Sequence, residues 1–231
     1  MTEKKQNFQK GFRQKFTKVK TAKGRKASST KWLQRQLNDP FTKLAKEHNY
    51  KSRAAFKLLE IEDKYKILKK AKIILDLGCA PGGWLQVARA ENNKAQIIGL
   101  DLLEITDLND VDFIQGDFLE PEIKEDLLKT TNNKEIDLIL SDIAPATCGH
   151  KETDHIRLMN ILEDILYFLN DNLKEGGNLV AKVFFGHELE ELKKEYKKYF
   201  KEVKFFKPTS SRKESKEQYM VCLNFQKLSN K

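Results

Sequence analysis

The chain of 231 residues has few cysteines, and they are not spaced for a metal site or a disulfide framework. The three, Cys79, Cys148 and Cys222, lie far apart and are odd in number, and no Cys-x-x-Cys pair occurs. Zinc sites and small secreted scaffolds both depend on closely spaced cysteines. We therefore interpret the cysteines as small apolar residues in a reducing compartment. Cys79 has no histidine near it in sequence, so a nucleophilic role is not favoured.

Long apolar runs are also missing, since none approaches the roughly 20 residues that cross a bilayer. The first residues, MTEKKQNFQK, lack the apolar segment of a secretory signal and are rich in lysine rather than arginine. The four histidines, His48, His150, His155 and His187, show no metal-ligand spacing. We expect a cytoplasmic protein with no membrane and no metal partner. No exposed heptad stands out, so a monomer is expected.

Positive charge is concentrated at the start of the chain. Residues 1–40 contain twelve Lys or Arg and two acids, a net charge of +10, whereas the whole chain carries +9. Residues 1–38 are predicted to be a basic, flexible extension, including the polar stretch GRKASST (24–30), and residues 39–231 a catalytic domain. The extension contains Phe8, Phe12, Phe16 and Trp32. Lysines that neutralise phosphates and aromatics that stack on bases favour an RNA-binding arm over a solvated tail.

The stretch Ile73 to Trp84, IILDLGCAPGGW, passes from an apolar run through a glycine loop into a helical pattern. This is how nucleotide-type sites open in α/β sheets, although a tight turn in any α/β protein can look the same. Asp101 ends the next apolar run, where a carboxylate commonly binds ribose hydroxyls. The spacing is not that of a dinucleotide site, and Asp76 lies near the loop. A carboxylate-rich loop favours a cationic adenosine cofactor, S-adenosylmethionine.

Apolar runs of strand length end in aspartates three times, in AQIIGLD (95–101), VDFIQGD (111–117) and IDLILSD (136–142). Apolar strands that alternate with helical patterns predict a parallel sheet covered on both faces. Asp101, Asp117 and Asp142 should then gather at one edge of the sheet, beside the glycine loop, where ligands bind.

The remaining pattern places two lysines and a glutamate. Residues 40–69 read as helical, with Ser52 as a cap for the helix that carries Lys57. Residues 178–185 read as a central strand with Lys182 in its middle, where a lysine needs a carboxylate partner. An antiparallel pair is predicted at 203–208 and 218–225, with Glu217 in the loop before the second strand.

Together these segments resemble the FtsJ/RrmJ family of ribose 2′-O-methyltransferases, and most closely its bacterial members that act on 23S ribosomal RNA. The resemblance extends from about Tyr50 to Phe225 and is carried by the segments SRAAFKLLEI, ILDLGCAPGGW, IIGLDL, GDF, LSDIAP, LVAKVFFG and SRKESKEQYMVC. It implies a Rossmann-like α/β methyltransferase fold with a mostly parallel seven-stranded sheet, a C-terminal antiparallel strand and helices on both faces.

The resemblance also implies the site and the reaction. The family's catalytic tetrad falls on Lys57, Asp142, Lys182 and Glu217, with Lys182 as the general base. Its contacts to S-adenosylmethionine fall on Gly82, Trp84, Asp101, Asp117 and Asp142. The implied reaction is methylation of a uridine 2′-hydroxyl in 23S ribosomal RNA, within the assembled large ribosomal subunit.

Three alternatives remain open. A methyltransferase acting on nitrogen commonly has an Asn/Asp-Pro-Pro-aromatic loop after strand four, whereas this chain has Asp142-Ile143-Ala144-Pro145. A 2′-O-methyltransferase for a transfer RNA anticodon loop is poorly separated by sequence. A non-catalytic RNA-binding or ribosome-assembly factor is disfavoured, because a binding protein has no need for Lys182 in an apolar strand.

Overall fold

The computed structural model describes residues 17–19, 24, 27–145, 151–186, 189–212 and 214–227. It divides into two compact units between Arg53 and Ala54. The boundary expected at residues 38 and 39 stays a prediction, and most of the predicted arm, with Phe8, Phe12 and Phe16, lies outside the described residues, as do Cys148, His150 and His187. No helix in the described ranges is long and apolar enough to cross a membrane.

The first unit contains helices α1 (Ala27–Leu37) and α2 (Pro40–Glu47). Asp39 caps α2, because its carboxylate accepts hydrogen bonds from the backbone N–H groups of Phe41 at 3.0 Å and Thr42 at 3.3 Å. Arg53 forms an ion pair with Asp39. The expected flexible stretch at 24–30 is wrong from Ala27 onward, since the helix-forming sequence ASSTKWLQRQL already begins α1 there.

The second unit is built on a seven-stranded sheet in the order β3-β2-β1-β4-β5-β7-β6. Its strands are β1 (Ile73–Leu77), β2 (Gln96–Asp101), β3 (Asp112–Gln115), β4 (Ile136–Ser141), β5 (Leu173–Phe184), β6 (Phe200–Phe206) and β7 (Glu217–Phe225). Strands β1 to β5 pair in parallel, and β7 pairs antiparallel with both β5 and β6. Every residue of β1 is buried, as expected for a sheet covered on both faces. The predicted α/β fold, with a mostly parallel seven-stranded sheet and an antiparallel C-terminal strand, is confirmed.

Five helices complete this unit: α3 (Ala55–Tyr65), α4 (Gly83–Glu91), α5 (Pro121–Thr130), α6 (Lys151–Asn172) and α7 (Leu189–Tyr196). The continuous helical pattern expected over 40–69 is wrong, because α2 ends at Glu47 and Asn49 adopts a left-handed conformation with φ of 58°. The expected Ser52 cap is also wrong. Helix α3 begins with Ala54 at its N-cap, without a side-chain hydrogen bond.

The antiparallel strand β7 determines which side chains meet at the edge of the sheet. Parallel strands end at the same edge, so the residues after β1, β2 and β4 come together there. Strand β7 runs in the opposite direction, and its first residue, Glu217, pairs with Phe184 at the end of β5. Lys182 and Tyr219 are also cross-strand partners. Glu217 therefore lies within the strand rather than in the loop where it was expected.

A buried asparagine fixes the turn between α4 and β2. The side-chain amide of Asn92 donates hydrogen bonds to the carbonyls of Leu68 at 2.8 Å and Ala71 at 2.7 Å. Its oxygen accepts hydrogen bonds from the backbone N–H groups of Lys94 at 3.2 Å and Ala95 at 3.1 Å. One side chain thus forms hydrogen bonds with four backbone groups from two segments of the chain.

Replacing this side chain should destabilise the fold. We expect Asn92→Ala to lower the free energy of unfolding by about 3 kcal/mol, because buried backbone groups lose their partners. The adjacent Asn93 is exposed, so Asn93→Ala is the matched control, with an expected change within about 0.5 kcal/mol. Urea denaturation measures both, and equal losses would contradict the role assigned to Asn92.

Candidate active site

The loop between β1 and α4 is closed by backbone hydrogen bonds and by glycines in left-handed conformations. The N–H of Gly78 donates to Leu100 O at 2.8 Å, and the N–H of Gly82 donates to Cys79 O at 2.7 Å. Gly78 has φ of 73° and Gly82 has φ of 105°. A Cβ at Gly78 would lie 2.9 Å from the backbone of Ile143, so only glycine fits between these two loops.

Aspartates from three strand ends line a cavity of about 290 Å³ beside this loop. They are Asp101, Asp117 and Asp142, and the apolar part of the wall includes Leu100, Leu102, Leu103, Phe118, Leu119, Ile143 and Ile161. Asp101 also holds the glycine loop in place, because it accepts hydrogen bonds from the N–H groups of Ala80 at 2.8 Å and Leu103 at 2.9 Å. The aspartates predicted at the strand ends are thus brought together.

Gly82 and Trp84, the other predicted cofactor contacts, are not among the residues that line the cavity. Gly82 is the N-cap of α4. Trp84 is buried, and its indole N–H donates to Ala54 O at 2.8 Å, just before the helix that carries Lys57. Its ring lies 5.5 Å from that of Tyr219. Trp84 therefore connects the glycine-loop helix to the start of α3 and to β7.

Lys182 forms hydrogen bonds with both the backbone carbonyl and the side-chain carboxylate of Asp142. Its Nζ donates to the Asp142 backbone carbonyl at 2.6 Å and to Asp142 Oδ1 at 3.0 Å. The hydroxyl of Tyr219 donates to the same Oδ1 at 2.7 Å. The lysine side chain is only 7% exposed, so it is almost completely buried. The partner expected for a lysine in this strand is therefore Asp142.

Lys57 connects the carboxylate of Glu217 to that of Asp142. Its Nζ lies 2.8 Å from Glu217 Oε1 and 3.9 Å from Asp142 Oδ2. It also lies 5.6 Å from the centre of the Tyr219 ring. Ser211 donates a hydrogen bond to Glu217 Oε1 at 3.1 Å. The structure thus brings together the four residues Lys57, Asp142, Lys182 and Glu217, which are spread over the chain from α3 to β7.

The sequence of the chain matches a known enzyme family. The family model for FtsJ-like methyltransferases matches residues 50–225. The chain belongs to the FtsJ-like methyltransferase family. Proteins named ribosomal RNA large subunit methyltransferase E are similar over nearly their whole length. That of Zymomonas mobilis is 46% identical over 208 residues, which are 90% of this chain and 94% of the relative.

Further relatives give the same picture. The protein of the same name from Rickettsia felis is 46% identical over 220 residues, or 93% of this chain and 96% of the relative. Among solved structures, a Plasmodium falciparum protein described as a ribosomal RNA methyltransferase superposes with a TM-score of 0.70 at 36% identity. It matches 78% of this chain and 100% of its own. Its similarity agrees with the FtsJ-like fold.

Charge at Asp142 is favoured by its neighbours. Burial disfavours the charged carboxylate, but the positive charges of Lys182 and Lys57 and the hydrogen bond from Tyr219 outweigh it and lower the pKa of Asp142. Tyr219 was not singled out from the sequence. The signal was available, because residues two apart in a strand share a face, and Glu217 and Tyr219 are two apart.

Asp76, in contrast, is a buried carboxylate without compensation. It is 1% exposed, and neither of its oxygens has a hydrogen-bond partner among the described residues. Burial, with the like charges of Asp142 and Asp101, raises the pKa of Asp76 well above its usual value. This uncompensated acid lies directly before the glycine loop, two residues from Gly78.

Two further features concern the Cys79 thiol and potential metal ligands. Burial raises the pKa of the Cys79 thiol, and the nearby charges of Asp76 and Asp101 add to the effect, which keeps the thiol protonated and unreactive. Within the described ranges, no three His, Cys, Asp or Glu side chains are grouped to hold a metal ion.

Neutralising Asp76 should stabilise the ligand-free protein. Because its folded pKa lies above the unfolded value of 3.8, the fold prefers the protonated acid, and stability should fall as the pH rises through the folded pKa. We expect Asp76→Asn to weaken this dependence and to raise the free energy of unfolding at pH 8 by about 1 kcal/mol. Denaturation from pH 4 to 8 measures it, with exposed Asp110→Asn as control. An unchanged pH profile would contradict the prediction.

Removing the Tyr219 hydroxyl should destabilise the fold, in contrast to the neutralisation of Asp76. The folded pKa of Asp142 lies below the unfolded value of 3.8, so its ionisation stabilises the fold above that pH and the contribution is lost as the pH falls through the folded pKa. We expect Tyr219→Phe to lower the free energy of unfolding at pH 7 by about 1.5 kcal/mol, and the difference to shrink toward pH 3. Tyr167, 70% exposed, supplies the control Tyr167→Phe, and a deficit independent of pH would contradict the assignment.

Proposed function

We propose that this chain methylates the 2′-hydroxyl of a uridine ribose in 23S ribosomal RNA, with S-adenosylmethionine as methyl donor and Lys182 as general base. We further propose that the substrate is the assembled large ribosomal subunit and that the enzyme acts in the cytoplasm as a monomer. Family membership supports methyl transfer, and the names of the relatives support ribosomal RNA as the substrate class.

The observation that carries the proposal is that the cluster of Lys57, Asp142, Lys182 and Glu217 shares one residue with the acidic cavity. Asp142 belongs to both, because it lines the cavity and binds Lys182. A group bound in the cavity and a nucleophile beside Lys182 would therefore meet across one side chain. An RNA-binding protein without catalysis would not require this arrangement.

The residues present fit a cationic adenosine cofactor. Asp101 and Asp117 follow neighbouring strands and offer carboxylate oxygens to ribose hydroxyls or an amine. The apolar wall, with Leu102 and Phe118, suits a flat base. S-adenosylmethionine, when bound, supplies an electrophilic methyl group on a positively charged sulfur. We assign its contacts to Gly82, Trp84, Asp101, Asp117 and Asp142.

In this proposal Lys182 removes the proton from the attacking hydroxyl. An ammonium group has no lone pair, so Lys182 must first release one proton to solvent. The two N–H groups that remain can keep the hydrogen bonds to the carbonyl and the carboxylate of Asp142. The lone pair of the amine then accepts the ribose proton while the oxygen takes the methyl group. A general base of this kind contributes about 10²- to 10⁴-fold to a rate.

Lys57 and Glu217 act beside this pair. Lys57 brings a positive charge within 3.9 Å of Asp142 Oδ2, and Glu217 holds Lys57 at 2.8 Å. The ion pair fixes the position of Lys57 and keeps Asp142 charged, so that Asp142 continues to orient Lys182. We propose that the pair also orients the ribose, because an ammonium group can donate to a hydroxyl oxygen.

The basic N-terminal extension is proposed to bind RNA. Residues 1–40 carry a net charge of +10, enough to neutralise several phosphates and to make binding sensitive to salt. The alternative substrate, a transfer RNA anticodon loop, requires the same chemistry at the same site. The two substrates are therefore separated by experiment rather than by the tetrad.

The decisive experiment is methyl transfer from labelled S-adenosylmethionine to large ribosomal subunits from a strain that lacks the modification. Free 23S RNA and transfer RNA serve as parallel substrates, with the labelled nucleotide mapped and cofactor binding measured by calorimetry. We expect label on a uridine ribose of the subunit. Label on transfer RNA alone would show that the substrate is a transfer RNA, as for the anticodon-loop enzymes. Cofactor binding without any labelling would favour an assembly factor.

Lys182→Ala should abolish turnover while leaving cofactor affinity unchanged. We expect the rate to fall by about 10²- to 10⁴-fold, because the base is lost while the cavity remains. Lys174→Ala is the matched control, since Lys174 lies on the same strand, is 47% exposed at its side chain and pairs with Asp137 away from the tetrad. Near-normal turnover in Lys182→Ala would refute the assigned role.

A further inference from the structure

A glutamate on α3, Glu60, binds the turn that follows β6. Its Oε2 accepts hydrogen bonds from the Thr209 N–H at 2.6 Å and the Thr209 hydroxyl at 2.8 Å. Its Oε1 accepts one from the Ser210 N–H at 2.8 Å. Hydrogen bonds to a charged acceptor are stronger than those between neutral groups. One carboxylate thus binds two successive backbone groups about 150 residues away in the chain.

The turn held by Glu60 carries the serine that touches the tetrad. The N–H of Ser211 donates to Pro208 O at 3.0 Å, which closes the turn. Ser210 is fully buried and Ser211 is 7% exposed, so both residues are packed inside the protein. Ser211 follows directly on the two residues that Glu60 binds. Its position is therefore set by the contact to α3.

Ser211 and Lys57 converge on one oxygen atom. The Ser211 hydroxyl donates to Glu217 Oε1 at 3.1 Å, and the Lys57 ammonium lies 2.8 Å from the same oxygen. Two donors from different segments fix the orientation of this carboxylate. Without Ser211, the Glu217 side chain would be held at Oε1 by Lys57 alone among the described residues.

The contacts from Lys57 to Glu217 and from Glu60 to the turn at 208–211 both start from the same face of α3. Lys57 and Glu60 are three residues apart, and such residues are neighbours on a helix surface. Lys57 reaches Glu217 directly, whereas Glu60 reaches it through the turn at 208–211 and Ser211. The contacts form a closed ring that fastens the segment before β7 to the helix that supplies Lys57.

We propose that Glu60 is a positioning residue for methyl transfer, acting through Ser211 on Glu217 and so on Lys57. This inference rests on the proposed function. Glu60 does not line the cavity, so cofactor binding does not depend on it. Its effect is on the geometry of the reacting groups, where small displacements reduce rates strongly.

The test begins with Glu60→Gln. The glutamine keeps the size of the side chain but turns an N–H₂ group toward a backbone N–H, so one end of the contact is lost. We expect kcat to fall by about 10- to 100-fold, while KM for the large subunit and the Kd for S-adenosylmethionine stay within about twofold. Asp63→Asn is the matched control, because Asp63 lies on the same helix and pairs with exposed Lys66. Its kcat should not change.

A double-mutant cycle separates positioning from stability. Ser211→Ala should lower kcat by about tenfold, and Ser211→Thr, which keeps the hydroxyl, should restore most of it. In the Ser211→Ala background, Glu60→Gln should cause less than about a twofold further loss, because its effect passes through Ser211. Thermal unfolding is measured for each variant.

Two results would overturn the proposal. One is an unchanged kcat in Glu60→Gln, and the other is the same fold-loss from Glu60→Gln with or without the Ser211 hydroxyl. If Glu60→Gln fails to fold, the Ser211 pair decides: equal kcat in Ser211→Ala and wild type refutes the path to Glu217, and a loss restored by threonine supports it. Wild-type activity in the same assay distinguishes these failures from a failure of the proposed function.

Discussion

The site depends on the contacts that three side chains make with Asp142. Lys182 from β5 and Tyr219 from β7 donate hydrogen bonds to its carboxylate, and the Lys57 ammonium from α3 lies 3.9 Å from Oδ2. Burial disfavours the charged form of this acid, but the surrounding positive charge and the hydrogen bond from Tyr219 lower its pKa. The carboxylate and these three side chains therefore depend on one another. Removing one of them leaves the remaining groups with a buried charge that is poorly compensated.

The sheet topology makes this convergence possible. A parallel sheet gathers strand ends at one edge, which provides the cavity with Asp101 and Asp117 but no strand running back toward it. Strand β7 enters antiparallel beside β5, so it begins where β5 ends and sets Tyr219 opposite Lys182. The C-terminal hairpin is thus the part of the fold that adds Glu217 and Tyr219 to the edge where Asp142 and Lys182 lie.

Sequence patterns predicted those features that depend on local periodicity or on family motifs. Apolar runs that end in aspartate gave the strands and the edge at which Asp142 lies. Contacts between distant segments were beyond such patterns. The hydrogen bonds of Glu60 to the turn at 208–211 depend on how α3 packs, which no window of sequence contains. The prediction of helix ends was also wrong. The apolar spacing continues past Asn49, but the left-handed conformation of this residue interrupts the helix.

Two buried polar side chains differ in how their groups are satisfied. Asn92, in the turn between α4 and β2, bonds to four backbone groups and stabilises the fold. Asp76, on β1 directly before the glycine loop, has no hydrogen-bond partner among the described residues and makes folding less favourable once it is ionised. Proteins tolerate such local conflicts mainly at functional sites. The uncompensated acid therefore agrees with a functional site at this end of β1, where Gly78 and Asp101 line the cavity.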